Sequence, residues 1–226
     1  KITSNFNGAA LMKEPERASA IVQAVKSEIG NSVPLSVKIR LGWNDPDTFE
    51  TFIPVLEKAG ADLITLHGRT RAQGYSGKSD WDRIARAKKI ATVPLLANGD
   101  IHEPEQVSEA LAITGCDGVM IGRGALGNPW FFKQFISRYS DNSDLRISLE
   151  ERVAVVLRHA ALHCEQYGEQ GIVTFRKHLS WYFKTNKIGM NIPGIKEWRG
   201  RLVRVDSLKN LKSILQEFLE KQKEIV

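Results

Sequence analysis

Short apolar runs alternate with amphipathic stretches along the first 140 residues. Helical patterns lie at 15–29, 46–59, 80–90, 104–114 and 125–138. The apolar runs follow one another at intervals of about 25–30 residues, which is the repeat of a βα unit. The pattern therefore predicts four consecutive parallel strands, each followed by a helix. The predicted strands are Leu35–Ile39, Asp62–Leu66, Val93–Ala97 and Gly118–Ile121.

The polar residues at the strand ends distinguish between two α/β architectures. A doubly wound sheet concentrates its functional groups at one switch point, whereas a (β/α)8 barrel gathers them from every strand end. Because every predicted strand in this chain ends in a polar cluster, we predict the second half of a (β/α)8 TIM barrel over residues 1–140. The clusters are Lys38 and Arg40, His67-Gly68-Arg69, Asn98-Gly99-Asp100, and Gly122-Arg123-Gly124.

The pattern changes after residue 140. Asp141-Asn142-Ser143-Asp144 forms a short polar linker, and no strand-like run follows it. Helical periodicity covers 149–167, 172–186, 194–204 and 207–223, with a break at Asn186–Gly194. Residues 141–226 are therefore predicted to form an all-helical C-terminal domain.

Composition and charge narrow the classes of function. The 226 residues contain no apolar run near the roughly 20 residues that span a bilayer, so no membrane partner is expected. Cys116 and Cys164 form no CxxC pair, which fits a reducing cytoplasm and gives no sign of a metal site. The net charge is +6, yet residues 171–204 alone contain eight cations and one acid, Glu197. The positive charge therefore belongs to one region of the helical domain.

The two glycine-rich strand ends predict a phosphate site. Asn98-Gly99-Asp100 and Gly122-Arg123-Gly124 each lie just before a helix, where loop amides and a helix N-terminus commonly hold a phosphate in barrels. Glycine allows the backbone to approach the ligand, and Arg123 adds a charge-assisted contact. The alternative is that both are ordinary βα turns. The presence of both clusters favours phosphate binding.

The first two strand ends predict a site for an anionic or electron-accepting ligand. Lys38 and Arg40 share side-chain parity, so both can point into the barrel mouth, where buried cations need a partner. The alternative is a salt bridge to an acid on a neighbouring strand. His67 ends the next strand at the same level, and the loop from Arg69 to Gly77 is long enough to lie over the mouth. That loop also carries Arg71 and Tyr75.

One segment of the helical domain interleaves cations with aromatic residues, from Phe175 to Lys184. Lys177, Trp181 and Lys184 fall on one helical face, and Arg176 adds a further cation beside them. Cations beside an aromatic ring suit a phosphate backbone and stacked bases. The alternative is an amphipathic helix with a solvated basic face. Phe175, Leu179, Tyr182 and Phe183 are predicted to face the core.

Taken in order, these motifs resemble the signature strands of bacterial tRNA-dihydrouridine synthases, most closely the B subgroup. The resemblance runs from Lys1 to about residue 185. The strand motifs are Val37-Lys38-Ile39-Arg40-Leu41-Gly42-Trp43, Leu66-His67-Gly68-Arg69-Thr70-Arg71, Ala97-Asn98-Gly99-Asp100-Ile101 and Met120-Ile121-Gly122-Arg123-Gly124-Ala125. Arg176-Lys177-His178-Leu179-Ser180-Trp181-Tyr182 resembles the start of a signature helix in that family's C-terminal domain.

The resemblance implies an FMN-binding barrel and a tRNA-binding helical domain, with NADPH as the reductant. It implies that the flavin ring contacts Lys38 and His67, and that the phosphate end lies at Asn98, Gly99, Asp100, Gly122 and Arg123. It also implies that Arg40 and Tyr75 approach the target uracil. The cations Arg69, Arg71, Arg176, Lys177 and Lys184, together with Trp181, would contact tRNA. The family's enzymes can act as monomers, and a monomer is expected here.

One part of the family pattern does not occur in the 226 residues. The proton-donating cysteine of the family lies in an Asn-x-Gly-Cys-Pro motif, and Lys1–Met12 resembles the stretch that follows it. The catalytic acid is therefore expected upstream of Lys1, and these residues alone are expected to be inactive. Two alternatives stay open: another FMN-barrel oxidoreductase that acts on a small molecule, and a non-catalytic RNA-binding fragment.

Overall fold

The computed structural model describes residues 7–141, 145–184 and 192–223. Within these ranges the chain divides into two units, residues 1–124 and 125–226. A 3-10 turn at Gly8–Lys13 opens the first unit. Its other elements are α1 (Pro15–Ile29), β1 (Ser36–Arg40), α2 (Phe49–Lys58), β2 (Leu63–His67), α3 (Trp81–Ile90), β3 (Leu95–Asn98), α4 (Glu105–Thr114) and β4 (Gly118–Met120).

The four strands form one parallel sheet in the order β1-β2-β3-β4. Spatial order therefore follows chain order, and each crossover helix advances the sheet by one strand in the same direction. A doubly wound sheet instead reverses direction at its switch point. The sequential order confirms the prediction of four βα units of the (β/α)8 type.

The two faces of the sheet differ in chemistry because side chains alternate along each strand. One face is apolar: Ile64, Leu66, Leu95 and Ala97 are completely buried and form a core with the helices. Residues of the other parity, such as Arg40, are polar at the carboxyl ends of the strands. In a barrel this second face is the interior, so the polar strand ends lie at the mouth.

Local signals place most helix boundaries as predicted. Pro15 occupies the first turn of α1, and the side chain of Asp80 accepts the Arg83 N–H to cap α3. The helix predicted from residue 125 differs, because a 3-10 turn covers Arg123–Ala125 and α5 begins only at Phe131. Asn128 precedes a proline, which disfavours the helical conformation at that residue and delays the helix.

The second unit is helical throughout its described residues. Its helices are α5 (Phe131–Asp141), α6 (Leu149–Tyr167), α7 (Gly171–Tyr182), α8 (Ile195–Leu202) and α9 (Leu208–Lys223). Its core includes Phe175, Leu179, Tyr182 and Phe183, as the helical periodicity predicts. In the described ranges, the structure contains no helix that is both long and apolar enough to cross a lipid bilayer.

The unit boundary falls earlier than the sequence suggests, at residue 124 rather than 140. The intervening segment packs into the helical core: Trp130 is buried there and its Nε1 donates to Glu151 Oε1 at 2.8 Å. Arg152 also donates to the carbonyl of Gly127 at 3.1 Å. Of the predicted breaks, residues 142–144 and 185–191 lie outside the described ranges, as do residues 1–6.

Candidate active site

The carboxyl ends of the four strands form a single row. In the register of the sheet, Arg40 is paired with His67, His67 with Asn98, and Asn98 with Met120. Lys38 lies two residues before Arg40 and therefore belongs to the same face. The turn after β4 continues the row. Parallel pairing thus brings together polar residues that are about 80 residues apart in the chain.

A cavity of about 220 Å³ lies at this row of strand ends. Arg40 and Tyr75, which the resemblance places near the target base, line this cavity. The lining also includes every residue for which the resemblance implies contact with the flavin: Lys38, His67, Asn98, Gly99, Asp100, Gly122 and Arg123. Residues from four strand ends and one loop therefore share a single site on the first unit.

Cations outnumber carboxylates in this cavity. Lys38, Arg40 and Arg123 line it together with one acid, Asp100, whose Oδ2 is 2.6 Å from the buried Arg69 guanidinium. Neither Lys38 nor Arg40 forms a salt bridge with an acid in the described parts of the chain. Partial desolvation, followed by the charge of Arg40, lowers the pKa of Lys38. The cavity is therefore suited to an anionic ligand.

His67 is neutral in this cationic environment. Burial, followed by the charges of Arg40 and Lys38, lowers the pKa of His67 from 6.5 to about 4. A protonated ring would add another positive charge to a cavity that already holds three. At neutral pH the imidazole therefore has one N–H donor and one acceptor nitrogen.

The two glycine-rich turns differ in whether the protein leaves room for a side chain at the glycine. Gly99 has φ +117°, and a Cβ atom there would lie 2.4 Å from Ser79 Oγ and 2.8 Å from His67 Cδ2. A Cβ atom at Gly122 would meet no protein atom within 4 Å. Packing of the protein therefore demands glycine at 99, whereas at 122 the missing side chain leaves the backbone open to a ligand beside Arg123.

The loop 70–77 lies over the cavity and is fixed by Arg40. The Arg40 Nη1 donates to the carbonyls of Thr70 and Gly74 at 3.0 Å each. Tyr75 is 65% exposed, and its ring centre lies 4.6 Å from the guanidinium carbon of Arg123 and 5.9 Å from that of Arg40. The loop therefore presents an aromatic ring between two cations of the site.

The structure corrects the expectation that Arg69 contacts tRNA. Only 2% of its surface is exposed, and its guanidinium is bonded to the carbonyls of Ser76 and Gly77 and to Asp100. The resemblance implied the tRNA contact, and the sequence could not correct it, because a strand-end arginine looks the same whether it faces solvent or the interior. Arg71 lies outside the cavity lining, with its guanidinium 5.6 Å from the ring centre of Trp43.

Three lining residues were not identified as site residues from the sequence: Ile101, His102 and Met120. Met120 lies opposite Asn98 in the sheet register, and His102 has its Nε2 3.8 Å from Asp100 Oδ1. Strand parity could have found Met120, since it has the same orientation as Gly118 and precedes Gly122 by two residues. His102 follows the strand-end cluster, where the course of the loop decides which side chain faces the cavity.

The basic helix α7 presents part of the predicted cationic surface. Lys177 is exposed on α7, but α7 ends at Tyr182, so Lys184 lies just after the helix and not on the predicted helical face. Lys184 is also exposed, and its ammonium lies 5.1 Å from the ring centre of Trp181. Arg176 is differently engaged, because its Nε donates to the carbonyl of Val205 at 2.8 Å. Arg176 keeps its charge, but part of its hydrogen-bonding capacity is already used within the helical unit.

Both cysteines are buried and unpaired. Cys116 lies just before β4, at the opposite end of that strand from the cavity, and burial raises the pKa of its thiol. Cys164 lies within α6, and burial also raises its pKa. Neither thiol lines the cavity.

Comparison with known proteins gives one consistent family. The family model described as Dihydrouridine synthase (Dus) matches residues 1–223. A Synechocystis protein named probable tRNA-dihydrouridine synthase 1 is 37% identical over 226 residues, covering 99% of this chain and 61% of that protein. The tRNA-dihydrouridine synthase B of Pseudomonas syringae pv. tomato is 35% identical over 222 residues, covering 96% and 63% respectively. The chain thus spans about three fifths of the length of the curated relatives it matches.

Proposed function

The chain belongs to the dihydrouridine synthase family, and we propose that it provides the flavin site and an RNA-binding surface of an enzyme that reduces uridine to dihydrouridine in tRNA. Its relatives carry the name tRNA-dihydrouridine synthase. One observation carries the proposal: Lys38, His67, Asn98 and Arg123, from four successive strand ends, line a single cationic cavity. Such convergence at the carboxyl ends of parallel strands is typical of barrel active sites.

The donor set of the cavity fits FMN. Lys38 would contact the flavin ring system, where its ammonium would stabilise the negative charge of the reduced flavin. The neutral His67 would donate a hydrogen bond to the same ring system. Arg123 and the open backbone at Gly122 would hold the phosphate. Asn98 contributes by ordering the site, since its Nδ2 donates to the carbonyl of Met120 at 2.7 Å. When bound, FMN supplies the hydride for the uracil ring, and NADPH is the proposed reductant.

The same cavity would accept the target base. A base can reach the site only after leaving its stack, which costs a few kcal/mol and requires binding energy from elsewhere on the RNA. Arg40 retains donors that are not used by the loop carbonyls, and these would stabilise negative charge on a uracil carbonyl. Tyr75, exposed above the cavity, would stack on or border the base.

We propose that the 226 residues alone bind FMN and tRNA but do not catalyse the reduction of uridine. Protonation of the reduced uracil needs an acid near the base, and Cys116 and Cys164 are both buried and are not among the residues that line the cavity. The expected result is flavin and tRNA binding without formation of dihydrouridine when this chain is assayed alone. Dihydrouridine production by the purified 226 residues would contradict this part of the proposal.

Two exposed cations, Lys177 on α7 and Lys184 just after it, are proposed to contact the tRNA backbone. Lys177 and Lys184 would each neutralise a phosphate, and Trp181 would stack on a base. We expect substitution of both lysines by glutamine to flatten the slope of log K for tRNA binding against log salt concentration. The change should correspond to the loss of about two phosphate contacts. The matched control replaces two exposed lysines of α9, Lys209 and Lys212, by glutamine. An unchanged slope in the variant that lacks both Lys177 and Lys184 would refute this surface.

The test of the whole proposal is the visible spectrum of the purified protein together with tRNA binding measured at several salt concentrations. Yellow flavin that is released on denaturation, with salt-sensitive tRNA binding, is expected. Flavin without tRNA binding would favour an oxidoreductase that acts on a small molecule, and tRNA binding without flavin would favour a non-catalytic RNA-binding protein. We also infer that the protein is a monomer, which sedimentation would test, and that it is cytoplasmic.

A further inference from the structure

Beside the cavity, the guanidinium of Arg69 is buried and fully engaged. Its Nε donates to the carbonyl of Ser76 at 3.2 Å, and its Nη2 donates to the carbonyl of Gly77 and to Asp100 Oδ2 at 2.6 Å each. Its Nη1 lies 3.4 Å from Nε2 of His67. All three nitrogens of the planar fork thus have a partner, and the single charge is neutralised by a carboxylate.

Asp100, the acid that pairs with Arg69, is itself held in a rare backbone conformation. Its φ is +56°, in the left-handed region that residues other than glycine seldom adopt. Its Oδ2 also accepts the backbone N–H of Ser79 at 2.7 Å. The preceding Gly99 is fixed through its carbonyl, which accepts Nε1 of Trp81 at 3.1 Å. Strain of this kind persists only where the surroundings hold the residue, and it clusters at functional sites.

The contact with Arg69 decides which nitrogen of His67 carries the proton. A guanidinium has donors only, so Nε2 of His67 must present its lone pair to Arg69. Because the ring is neutral near pH 7, its proton lies on Nδ1. Among the described residues, no hydrogen-bond acceptor is seen for that N–H. The imidazole is therefore held with a defined donor that remains available to a ligand.

Arg69 also fixes the end of the loop that carries Tyr75. The carbonyls that it binds belong to the last two residues of the loop 70–77, just after Tyr75. Tyr75 makes its ring contacts with Arg40 and Arg123, both at the cavity. One buried side chain thus connects a strand-end histidine and the loop above it.

We propose that Arg69 is a positioning residue: its guanidinium, paired with Asp100, selects the tautomer of His67 and holds the loop that presents Tyr75. This inference rests on the proposed function, which assigns His67 to the flavin and Tyr75 to the base. Arg69 itself is not among the residues that line the cavity. Lysine cannot replace it, because one ammonium group cannot reach two carbonyls, a carboxylate and an imidazole in a single plane.

The first test measures the tautomer of His67 in flavin-free protein. The chain has five histidines, so long-range ¹⁵N–¹H spectra are tractable, and His67→Gln identifies the signal of interest. The wild type should show a neutral ring with the proton on Nδ1 at pH 7, and Arg69→Lys should show both tautomers. The control is Arg86→Lys, at an exposed arginine that pairs with Glu50, and it should match the wild type. An unchanged Nδ1–H signal in folded Arg69→Lys overturns the proposal.

The second test uses Asp100→Asn, which keeps Arg69 and therefore serves if Arg69→Lys does not fold. Trypsin cleavage after Arg71, inside the loop, should become at least about tenfold faster than in the wild type, because opening of the loop is less costly. The Kd for FMN should rise by about tenfold or more. Wild-type values for both the cleavage rate and the Kd would overturn the proposal. Failure of the wild type to bind FMN would refute the proposed function instead, while the tautomer and cleavage measurements would still decide the role of Arg69.

Discussion

Gly122→Ala separates the stability of the fold from binding of the ligand. Gly122 lines the cavity, a Cβ atom there would meet no protein atom within 4 Å, and its backbone is not in the left-handed region. Alanine therefore adds neither a clash nor strain, and it restricts the unfolded chain. We expect the free energy of unfolding to change by less than about 1 kcal/mol, with a small gain as the favoured direction.

The same methyl group should weaken flavin binding, because it occupies the space through which a phosphate approaches the backbone. An N–H···O contact pushed beyond about 3.2 Å loses most of its strength. Loss of one hydrogen bond to a charged group costs roughly 1.5–3 kcal/mol. That range corresponds to an increase in the FMN Kd of about 10- to 150-fold. Quenching of flavin fluorescence on titration measures the Kd, and urea unfolding measures the stability.

The matched control for this variant is Gly200→Ala. Gly200 also has open space around a Cβ atom and no left-handed φ, but it lies in α8, on the helical unit. Its FMN Kd should equal that of the wild type. A wild-type Kd in stable Gly122→Ala would refute the assignment of the turn after β4 to the phosphate. A large loss of stability in that variant would contradict the geometry itself.

Three further predictions concern the stability of the first unit. Gly99→Ala should lower the free energy of unfolding, measured with urea, by roughly 2–4 kcal/mol. The reason is that its Cβ would clash with Ser79 Oγ at 2.4 Å and its φ is +117°. A variant as stable as the wild type would contradict the packing. His67 has a folded pKa of about 4 against 6.5 unfolded, so only the unfolded state gains its proton as pH falls between these values. Stability should therefore drop by up to roughly 3 kcal/mol from pH 7 to pH 4, and His67→Gln should remove this component of the slope. Asp80→Ala should cost about 1 kcal/mol by removing the cap on Arg83 N–H, and an unchanged unfolding midpoint would refute the cap.

The course of the backbone could be predicted largely from the sequence. The boundaries of α1 and α6 match the periodicity to the residue, and each of the four strands overlaps its predicted run. These elements follow local rules: proline in the first turn of α1, a serine cap on α6, and continuous apolar runs for buried strands. The boundary between the units was displaced because burial of Trp130, which depends on distant residues, is not visible in local periodicity.

Most of the cavity lining could also be predicted, since parallel strands place their carboxyl ends at one edge, but Ile101, His102 and Met120 were missed. The roles of the four arginines in and near the cavity could not be predicted. Arg40, Arg69, Arg71 and Arg123 are equivalent as sequence letters. In the structure Arg40 donates to loop carbonyls and Arg69 is buried against Asp100. Arg71 lies over the ring of Trp43, and Arg123 lies over that of Tyr75. Their surroundings, supplied by several strands and a loop, make the difference.

The sequence by itself determined the βα repeat, the helical second unit, and the set of polar strand ends, because each is a matter of local periodicity and of the two-residue alternation in strands. Only the tertiary structure decided the protonation of His67, the burial of Arg69 and the openness of Gly122. A pKa, a buried charge and an empty space each depend on atoms brought together from distant parts of the chain, and no local pattern encodes those distances.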